Sequence, residues 1–423
     1  DHRGNLCYVL PPLLYDYVSL AQNSISDNND MMQLYAFIYR YDDHNRCIYK
    51  KLPGCEPIYY VYDKAGNCIF SQDGEQRTSN RWYFSIPDKF GRPCLTGTCT
   101  NTITYADTRY QNTCIYAQYT GATNVRKGYD VSGITLSSLK LLSVNYYDDY
   151  SFIGTNSIPT SLNYVSEGIG QRDQNAHHGL LTGTAISCTR ADGGVRFFFS
   201  AIYYDELRQP MQVRSTNLIG GINVETTTYT LTGEPERQLI RVTNGDTQAS
   251  TILNAEYVNI YDFPHNNQLH HRVLKLKNAN GALIRMDTIQ SYTYNELGQI
   301  AQMKRGEHRA DMTYEYNQLQ GLLQEVTSNC GFRQTLLREN STSHPLYNGS
   351  ISAMQWVVPG EQIQRSYSYR YDSQNRLTRA SYSELLNANA GGGGTVHPMA
   401  EPSLLSLVPG PSNPISSSNQ YSV

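Results

Sequence analysis

Apolar and polar positions alternate along much of this chain. The stretch "YVYDKAGNCIF" at 60–70 places two tyrosines at spacing two, then Asp, two variable positions, Gly and a second apolar run. Residues two apart in a strand point to the same face of a sheet. Asp starts a turn through its short side chain, and Gly closes it in the left-handed conformation. The stretch therefore predicts a β-hairpin with positive φ at Gly66, and the copy at 292–306 predicts the same at Gly298.

This hairpin phrase recurs many times. Clear copies lie within 39–97, 292–328 and 367–382. One hairpin is marginally stable in water, so many copies must pair side by side. Weaker copies begin at Tyr203, Tyr229 and Ile260.

The repeats predict an all-β fold over residues 1–383, built from repeated β-hairpins that pair side by side. Two insertions, at 98–144 and 329–366, interrupt the repeat. Helical periodicity is weak, and short helices are expected only near 24–36 and 134–142.

The two ends of the sequence differ from the repeats. The chain opens inside a motif, "DHRGNLCYVLPP", and we interpret it as a piece of a longer protein. Residues 384–423 are dominated by Gly, Pro and Ser, which predicts a disordered tail. A repeat array without terminal caps exposes unpaired strand edges, so we expect open edges near 1–12 and 367–383.

Composition narrows the classes of partner. The chain has 35 Tyr against 10 Phe and 2 Trp, and Tyr suits a strand wall with one wet side. Its formal net charge is −3, which gives no electrostatic case for nucleic acid. No apolar run reaches the length of a membrane span.

Nine cysteines are present, and none forms a CxxC pair. Cys47 and Cys68 occupy the position that Leu377 fills in another copy of the repeat. Most cysteines are therefore predicted to be small apolar residues in strands, with a disulfide as the alternative.

Several longer blocks resemble the Rhs-repeat, or YD-repeat, family. They are "YAFIYRYDDHNRCIYKKLPG" at 35–54, "YYVYDKAGNCIFSQDG" at 59–74, "NAHHGLLTGTAI" at 175–186, "STNLIGGINVETTTY" at 215–229 and "PLYNGSISAMQW" at 345–356. Their order is similar to that of the large exported Rhs-repeat proteins of Bacteroidetes.

The resemblance covers roughly residues 1–383 and implies a spiral of β-hairpins that forms a hollow YD-repeat shell, of which this chain forms part. It also implies an extracellular or cell-surface location. Family members enclose a C-terminal cargo, often a toxin, or mediate contact at the cell surface. The "DPxG"-type core signature of the family and a recognisable effector domain are both missing from these 423 residues.

Candidate chemistry is sparse, and we assign no catalytic, cofactor or metal site. Ser137 and Lys140 match SxxK, but its companion motifs are missing. The histidine groups could bind a metal, yet neighbours in a strand face opposite ways, so polar turn residues are the favoured interpretation. These histidines are His177 and His178, and His265, His270 and His271.

The repeated acidic residue of the motif invites a calcium interpretation. A calcium loop needs several oxygen ligands around one ion, whereas each turn here supplies one carboxylate. Turn closure is therefore favoured for these residues, which are Asp42, Asp63, Asp88, Asp205, Asp262 and Asp372.

The tyrosine pairs have two interpretations. They build the wall of the shell through cross-strand packing, or they stack on sugar rings where they are exposed. The sequence as a whole favours a non-enzymatic β-scaffold. The alternative is an adhesin that binds glycans or neighbouring cells, and an enzyme is a weaker third.

Overall fold

The computed structural model forms two compact units. Unit 1 comprises Asp1–Glu256 and Lys277–Ala282, and unit 2 comprises Tyr257–Leu276 and Leu283–Val423. The residues that the structure describes are 1–12, 14–15, 26–27, 29–101, 103–104, 109–245, 251–262, 267–306, 311–339 and 345–386. The predicted tail after Leu386 therefore lies outside the described residues.

Unit 1 consists of antiparallel strands that follow one another in chain order. Its strands are β1 (Tyr8–Val9), β2 (Phe37–Tyr41), β3 (Cys47–Lys51), β4 (Ile58–Tyr62), β5 (Cys68–Gln72), β6 (Arg81–Pro87), β7 (Pro93–Thr100), β8 (Tyr116–Tyr119), β9 (Tyr129–Ser132), β10 (Ser137–Tyr147), β11 (Leu181–Thr189), β12 (Val195–Tyr204), β13 (Pro210–Thr216), β14 (Ile222–Tyr229) and β15 (Pro235–Thr243). Each pairs with the next, except that β7 pairs with β10 and the hairpin β8–β9 stands apart.

Unit 2 repeats the same meander. Its strands are β18 (Leu283–Tyr294), β19 (Ile300–Arg305), β20 (Met312–Tyr316), β21 (Leu323–Ser328), β22 (Arg333–Leu337), β23 (Ala353–Val357), β24 (Ile363–Tyr371) and β25 (Leu377–Leu386). Two further strands, β16 (Thr251–Asp262) and β17 (Gln268–Lys277), contribute residues to both units. The prediction of an all-β fold of repeated hairpins is confirmed.

The quoted phrase forms the hairpin that it predicts. Tyr60 pairs with Ser71 and Val61 with Phe70, and a bulge follows before the turn. Gly66 has φ of 86° and Gly298 has φ of 77°, so both glycine predictions are confirmed. Asn occupies the same position in other copies, where its short polar side chain tolerates positive φ.

Helices are few and short in the described residues. Helix α1 (Asp30–Tyr35) confirms the expectation near 24–36, and α2 (Gly74–Thr78) was not predicted. The helix expected at 134–142 is wrong, because this segment enters β10, which pairs with β7. Within the described residues, one 3-10 turn covers Thr160–Leu162. No described helix combines the length and apolar character that a membrane crossing requires.

The apolar core of unit 1 lies between the sheet and two covering segments, residues 109–136 and 148–180. Phe84 and Val144 of the sheet are fully buried in one cluster with Ile115 and Phe152 of these segments. Gly183 of β11 permits close contact, because a Cβ there would lie 2.2 Å from Cζ of Phe152. These segments therefore cover one face of the central strands of unit 1.

The strands of unit 2 carry fewer buried apolar residues. In its described part these are Met303, Val326 and Ala353, each with a relative exposure of 6 to 8%. The region 329–366, predicted as an insertion, contains β22 and β23, which pair in the ordinary antiparallel way.

The first and last strands lie at edges within the described residues. Strand β1 pairs there with β2 alone, and β25 pairs with β24 alone. Strand β25 runs to Leu386, three residues into the segment predicted as tail.

Candidate functional site

The second tyrosine of the hairpin phrase has a specific structural role. The hydroxyl of Tyr62 donates to the backbone carbonyl of Cys47 at 3.0 Å, and that of Tyr316 donates to Ile300 at 2.9 Å. Each acceptor lies at the start of the return strand in the preceding hairpin. The tyrosine therefore fastens its own hairpin to the one before it, and we call this contact the tyrosine clamp.

The tyrosine clamp occurs eight times in the described residues, always from the tyrosine directly before a turn. In each case the acceptor stands two residues after the positive-φ residue of an earlier turn. The pairs are Tyr41 to Leu6, Tyr62 to Cys47, Tyr147 to Pro93, Tyr204 to Leu181, Tyr229 to Pro210, Tyr294 to Leu269, Tyr316 to Ile300 and Tyr371 to Ile351.

The acidic residue of the phrase closes its turn, as predicted. One carboxylate oxygen of Asp42 accepts from the backbone N–H of His44 and of Arg46, and the other accepts from Nε of Arg46 at 2.6 Å. Burial acts to raise the pKa of Asp42, but these hydrogen bonds outweigh burial and lower the pKa below its ordinary value. Both oxygens are therefore occupied by the turn itself.

The same closure recurs at the other predicted positions. Asp88 with Arg92 and Asp372 with Arg376 repeat the full arrangement, while Asp63 is closed by Asn67. The turn after Asp262 lies outside the described residues. Among those residues, no three His, Cys, Asp or Glu side chains converge as a metal site would require.

Neighbouring turns are also joined to each other. The residue after the positive-φ position reaches a backbone carbonyl of the next turn: Arg46 donates to Asp63 at 3.0 Å, and Gln299 donates to Gly321 at 2.7 Å. Gln268 makes the equivalent bond to Gly298. The polar groups of the phrase are thus used to hold hairpin to hairpin.

Comparisons with known proteins give distant matches only. No protein-family profile matches the chain, and no curated protein matches its sequence. A crystal structure of TcdB2-TccC3 shares 9% identity over 90% of this chain, with a TM-score of 0.31. A crystal structure of TcdB2-TccC3 without its hypervariable C-terminal region shares 9% identity over 94%, with a TM-score of 0.32.

This chain spans 18% of the length of either of those chains. Membership of the Rhs/YD-repeat family therefore stays a prediction from the sequence.

The cysteines are free thiols at all nine positions, each of which the structure describes. Cys94 and Cys99 are buried in β7, and Cys47 and Cys68 lie half-buried in β3 and β5, so the prediction of apolar strand residues holds for these four. Burial raises the pKa of Cys68 to about 11. Cys188 is exposed on its strand, and the remaining cysteines lie outside strands: Cys7, Cys55, Cys114 and Cys330.

The histidine pairs differ in their secondary structure. His177 and His178 lie in a turn, as predicted, with ring centroids 4.5 Å apart. His270 and His271 lie in β17, so the turn interpretation is wrong for them, and their ring centroids lie 4.1 Å apart. His265 lies outside the described residues.

The SxxK match falls at the start of a strand. Ser137 and Lys140 pair with Thr100 and Thr98 of β7, with an irregularity between them. A helical turn, which would bring residues three apart onto one face, is therefore not formed here.

Aromatic rings gather on one region of unit 2. Trp356 of β23 lies 5.7 Å from Tyr367 of β24, measured between ring centroids, and Tyr367 lies 5.2 Å from Tyr382 of β25. All three side chains are half-buried. We call Trp356, Tyr367, Tyr369 and Tyr382 the aromatic cluster.

A cavity of about 430 Å³ lies in unit 1 between the turn at 205–209, the turn at 230–234 and the loop at 170–173. Its lining combines Arg172 with the carboxylates of Asp173, Asp205 and Glu206. Sequence reasoning identified Asp205 as a turn residue and missed the cavity, since its walls come from three separate segments.

Proposed function

We propose that this chain is a non-enzymatic β-scaffold of an exported Rhs/YD-repeat protein. The tyrosine clamp carries the proposal, because the residues that define the repeat hold one hairpin against the next. Each such hydroxyl bond contributes roughly 0.5–1.5 kcal/mol net, and its repetition makes the array stiffer than isolated hairpins.

The burial of unit 1 supports the same role. Its covering segments seal one face of the sheet with packed aromatic rings, such as Tyr146 on Phe152 at 4.2 Å between centroids. Stacked rings in a closed core stabilise a wall of the scaffold.

The scaffold would enclose a C-terminal cargo or toxin that lies beyond these residues, or would be displayed at the cell surface. Both contexts come from the family resemblance, and both place the protein outside the cytoplasm. Cargo enclosure and display differ in what a protease added from outside can reach.

A protease-accessibility experiment on the full-length gene product tests these contexts. Intact cells and purified protein are treated with proteinase K, and fragments are identified by mass spectrometry. Display predicts cleavage of this chain on intact cells, and enclosure predicts a C-terminal segment that survives until the scaffold is denatured. The proposal would be contradicted if the protease cleaved neither this chain nor the C-terminal segment on intact cells, and if the purified protein also contained no protected segment.

The second candidate function is adhesion through glycan binding, and the aromatic cluster of unit 2 favours it. Half-exposed aromatic rings suit the apolar faces of sugars. A glycan array with the full chain tests this candidate, with Trp356→Ala as the variant and Trp82→Phe, in the core of unit 1, as a control. Binding that is equal in wild type and Trp356→Ala would exclude the aromatic cluster.

A further inference from the structure

In one turn of unit 1, one carboxylate oxygen of the aspartate that begins the turn accepts no hydrogen bond from the described residues. In the turns that begin at Asp42, Asp88 and Asp372, an arginine four residues later occupies the second oxygen. Gln209 stands at that position after Asp205, and only its backbone N–H bonds to Oδ1. Oδ2 of Asp205 therefore has no partner among the described residues, and Asp205 lines the cavity of about 430 Å³.

The bond that joins neighbouring turns is also missing at this place. Gln268 and Gln299 donate to the glycine carbonyl of the next turn, whereas the side chain of Gln209 makes no such bond to Gly233. Its side-chain oxygen is buried without a donor. Its side-chain nitrogen still lies beside Gly233, since a Cβ added there would be 3.2 Å from Nε2, so the two turns remain in contact without that hydrogen bond.

Arg172, on another segment, also lines this cavity. The guanidinium of Arg172 lies over the rings of Tyr150 at 4.6 Å, Tyr203 at 4.9 Å and Tyr164 at 5.7 Å. No carboxylate or carbonyl of the described residues pairs with Arg172, and its Nε is buried without an acceptor. The rings fix its position, while its charge stays uncompensated.

The charges of the lining select the class of ligand. An anion would pair with Arg172 but would meet Asp173, Asp205 and Glu206, and a cation would meet Arg172. A hydroxyl group both donates and accepts, so adjacent hydroxyls of one uncharged molecule can satisfy the carboxylate and the guanidinium together. The volume lies within the range of small-molecule sites, roughly 300–1,000 Å³.

Apolar surface is present beside these polar groups. The ring of Tyr229 lines the cavity and is fixed by its clamp bond to Pro210. Met211 also lines the cavity, and Gly170 lies close to it, because a Cβ on Gly170 would be 3.0 Å from Cε of Met211. A ring with one apolar C–H face would fit against this wall.

We propose that this cavity binds an uncharged saccharide of one or two rings. Asp205 accepts from its hydroxyls, Arg172 donates to them, and Tyr229 packs against its C–H face. The inference goes beyond the scaffold role and does not depend on it, since cargo enclosure or display requires no sugar at this position.

Calorimetric titration of the full chain tests the proposal. The probes are glucose, galactose, mannose, N-acetylglucosamine and lactose, with glucuronate and glucosamine as charged comparators. At least one uncharged sugar is expected to bind, and more tightly than either comparator. Absence of binding by every uncharged probe, or preference for a charged comparator, would overturn the assignment.

Two variants locate the site. Asp205→Asn keeps the turn, since Asn295 closes the same turn elsewhere, and is expected to weaken sugar binding about tenfold or more. Arg172→Gln is expected to have a similar effect. Asp372→Asn makes the same change in a turn outside the cavity and should leave binding unaltered. Circular dichroism checks that each variant is folded, and unchanged binding in folded Asp205→Asn would reject the site.

Discussion

Units 1 and 2 use the same hairpin and the same tyrosine clamp, yet they bury very different amounts of apolar surface. In unit 1, Phe84, Tyr146 and Phe152 are at most 2% exposed. In unit 2, the aromatic cluster built on Trp356 and Tyr367 is only half-buried. The difference follows from the covering segments of unit 1, which contribute rings to its core.

This comparison separates two tasks that the sequence performs. The repeated phrase sets pairing, turn type and contact between hairpins in both units. The non-repeated segments decide whether a sheet face becomes a closed core. Stability should therefore depend on the clamp equally in both units and on aromatic packing mainly in unit 1.

The largest effect is expected from removing a ring of the covering segments. Phe152→Ala should destabilise unit 1 by about 3–5 kcal/mol, because it leaves a cavity against Tyr146. Tyr367→Ala in unit 2 should cost about 1–2 kcal/mol, since its ring is half-exposed. Local unfolding free energies from hydrogen exchange measure both, because two units need not unfold in one step. Equal destabilisation by Phe152→Ala and Tyr367→Ala would contradict the proposed contrast between the two units.

A turn glycine should give the next largest effect. Gly66→Val is expected to cost about 1–3 kcal/mol through backbone strain at φ of 86°, since no atom lies within 4 Å of the added Cβ. Gly66→Asn should be nearly neutral, because Asn45 adopts positive φ in the equivalent turn. Thermal melts of the two variants test this, and equal destabilisation by Val and Asn would reject backbone strain as the cause.

The tyrosine clamp should contribute about the same free energy of unfolding in both units. Tyr62→Phe and Tyr316→Phe each remove one hydroxyl bond to a carbonyl and should cost about 0.5–1.5 kcal/mol. Tyr39→Phe is the matched control, because no hydrogen bond from its hydroxyl is present in the described residues. A neutral result for both clamp variants would show that the contact does not hold the hairpins together.

The reactivity of the cysteine thiols should show the same contrast between the two units. Of the effects predicted here, this one involves the smallest energies. Burial raises the pKa of Cys99 in unit 1 to about 11, whereas the Ser328 hydroxyl and the Phe332 backbone lower the pKa of exposed Cys330 in unit 2. Iodoacetamide should therefore label Cys330 long before Cys99 at neutral pH. Peptide mass spectrometry measures the order, and native-state labelling of Cys99 at a comparable rate would contradict the closed core.

The raised pKa values of Cys99 and Cys68 also predict that unit 1 becomes less stable at alkaline pH. A group whose folded pKa is raised contributes stability that is fully present below its unfolded pKa, near 9 for a thiol. This contribution is lost as pH rises through about 11 for Cys99 and Cys68. Unit 1 should therefore lose stability between these values.

The sequence predicted the parts of the fold that local chemistry controls. The alternation of Tyr60 and Tyr62, the turn at Asp63 and the positive φ of Gly66 all follow from the phrase itself. The strand at 137–147 was missed because Leu136, Leu139 and Leu142 recur at every third residue, as in a helix, while pairing with β7 decides its conformation.

Long-range features were out of reach of the sequence. The tyrosine clamp joins residues about fifteen or more positions apart, as in Tyr62 and Cys47, and only the assembled hairpins show which carbonyl a hydroxyl reaches. The cavity beside Asp205 depends on where Arg172 is held by three rings. The sequence shows that Gln209 stands where an arginine follows the turns at Asp42, Asp88 and Asp372, but Asn67 and Gln299 hold the same position elsewhere, so this difference does not single out the cavity.

Hydrogen–deuterium exchange of the full chain, followed by mass spectrometry, tests most directly whether the covering segments make the difference between the units. Amides of β7, β10 and β12 should be protected about an order of magnitude longer than those of β20, β21 and β24. Phe152→Ala should shorten protection in unit 1 and leave unit 2 unchanged. Protection in β20 to β24 that equals or exceeds that of unit 1 would contradict the account.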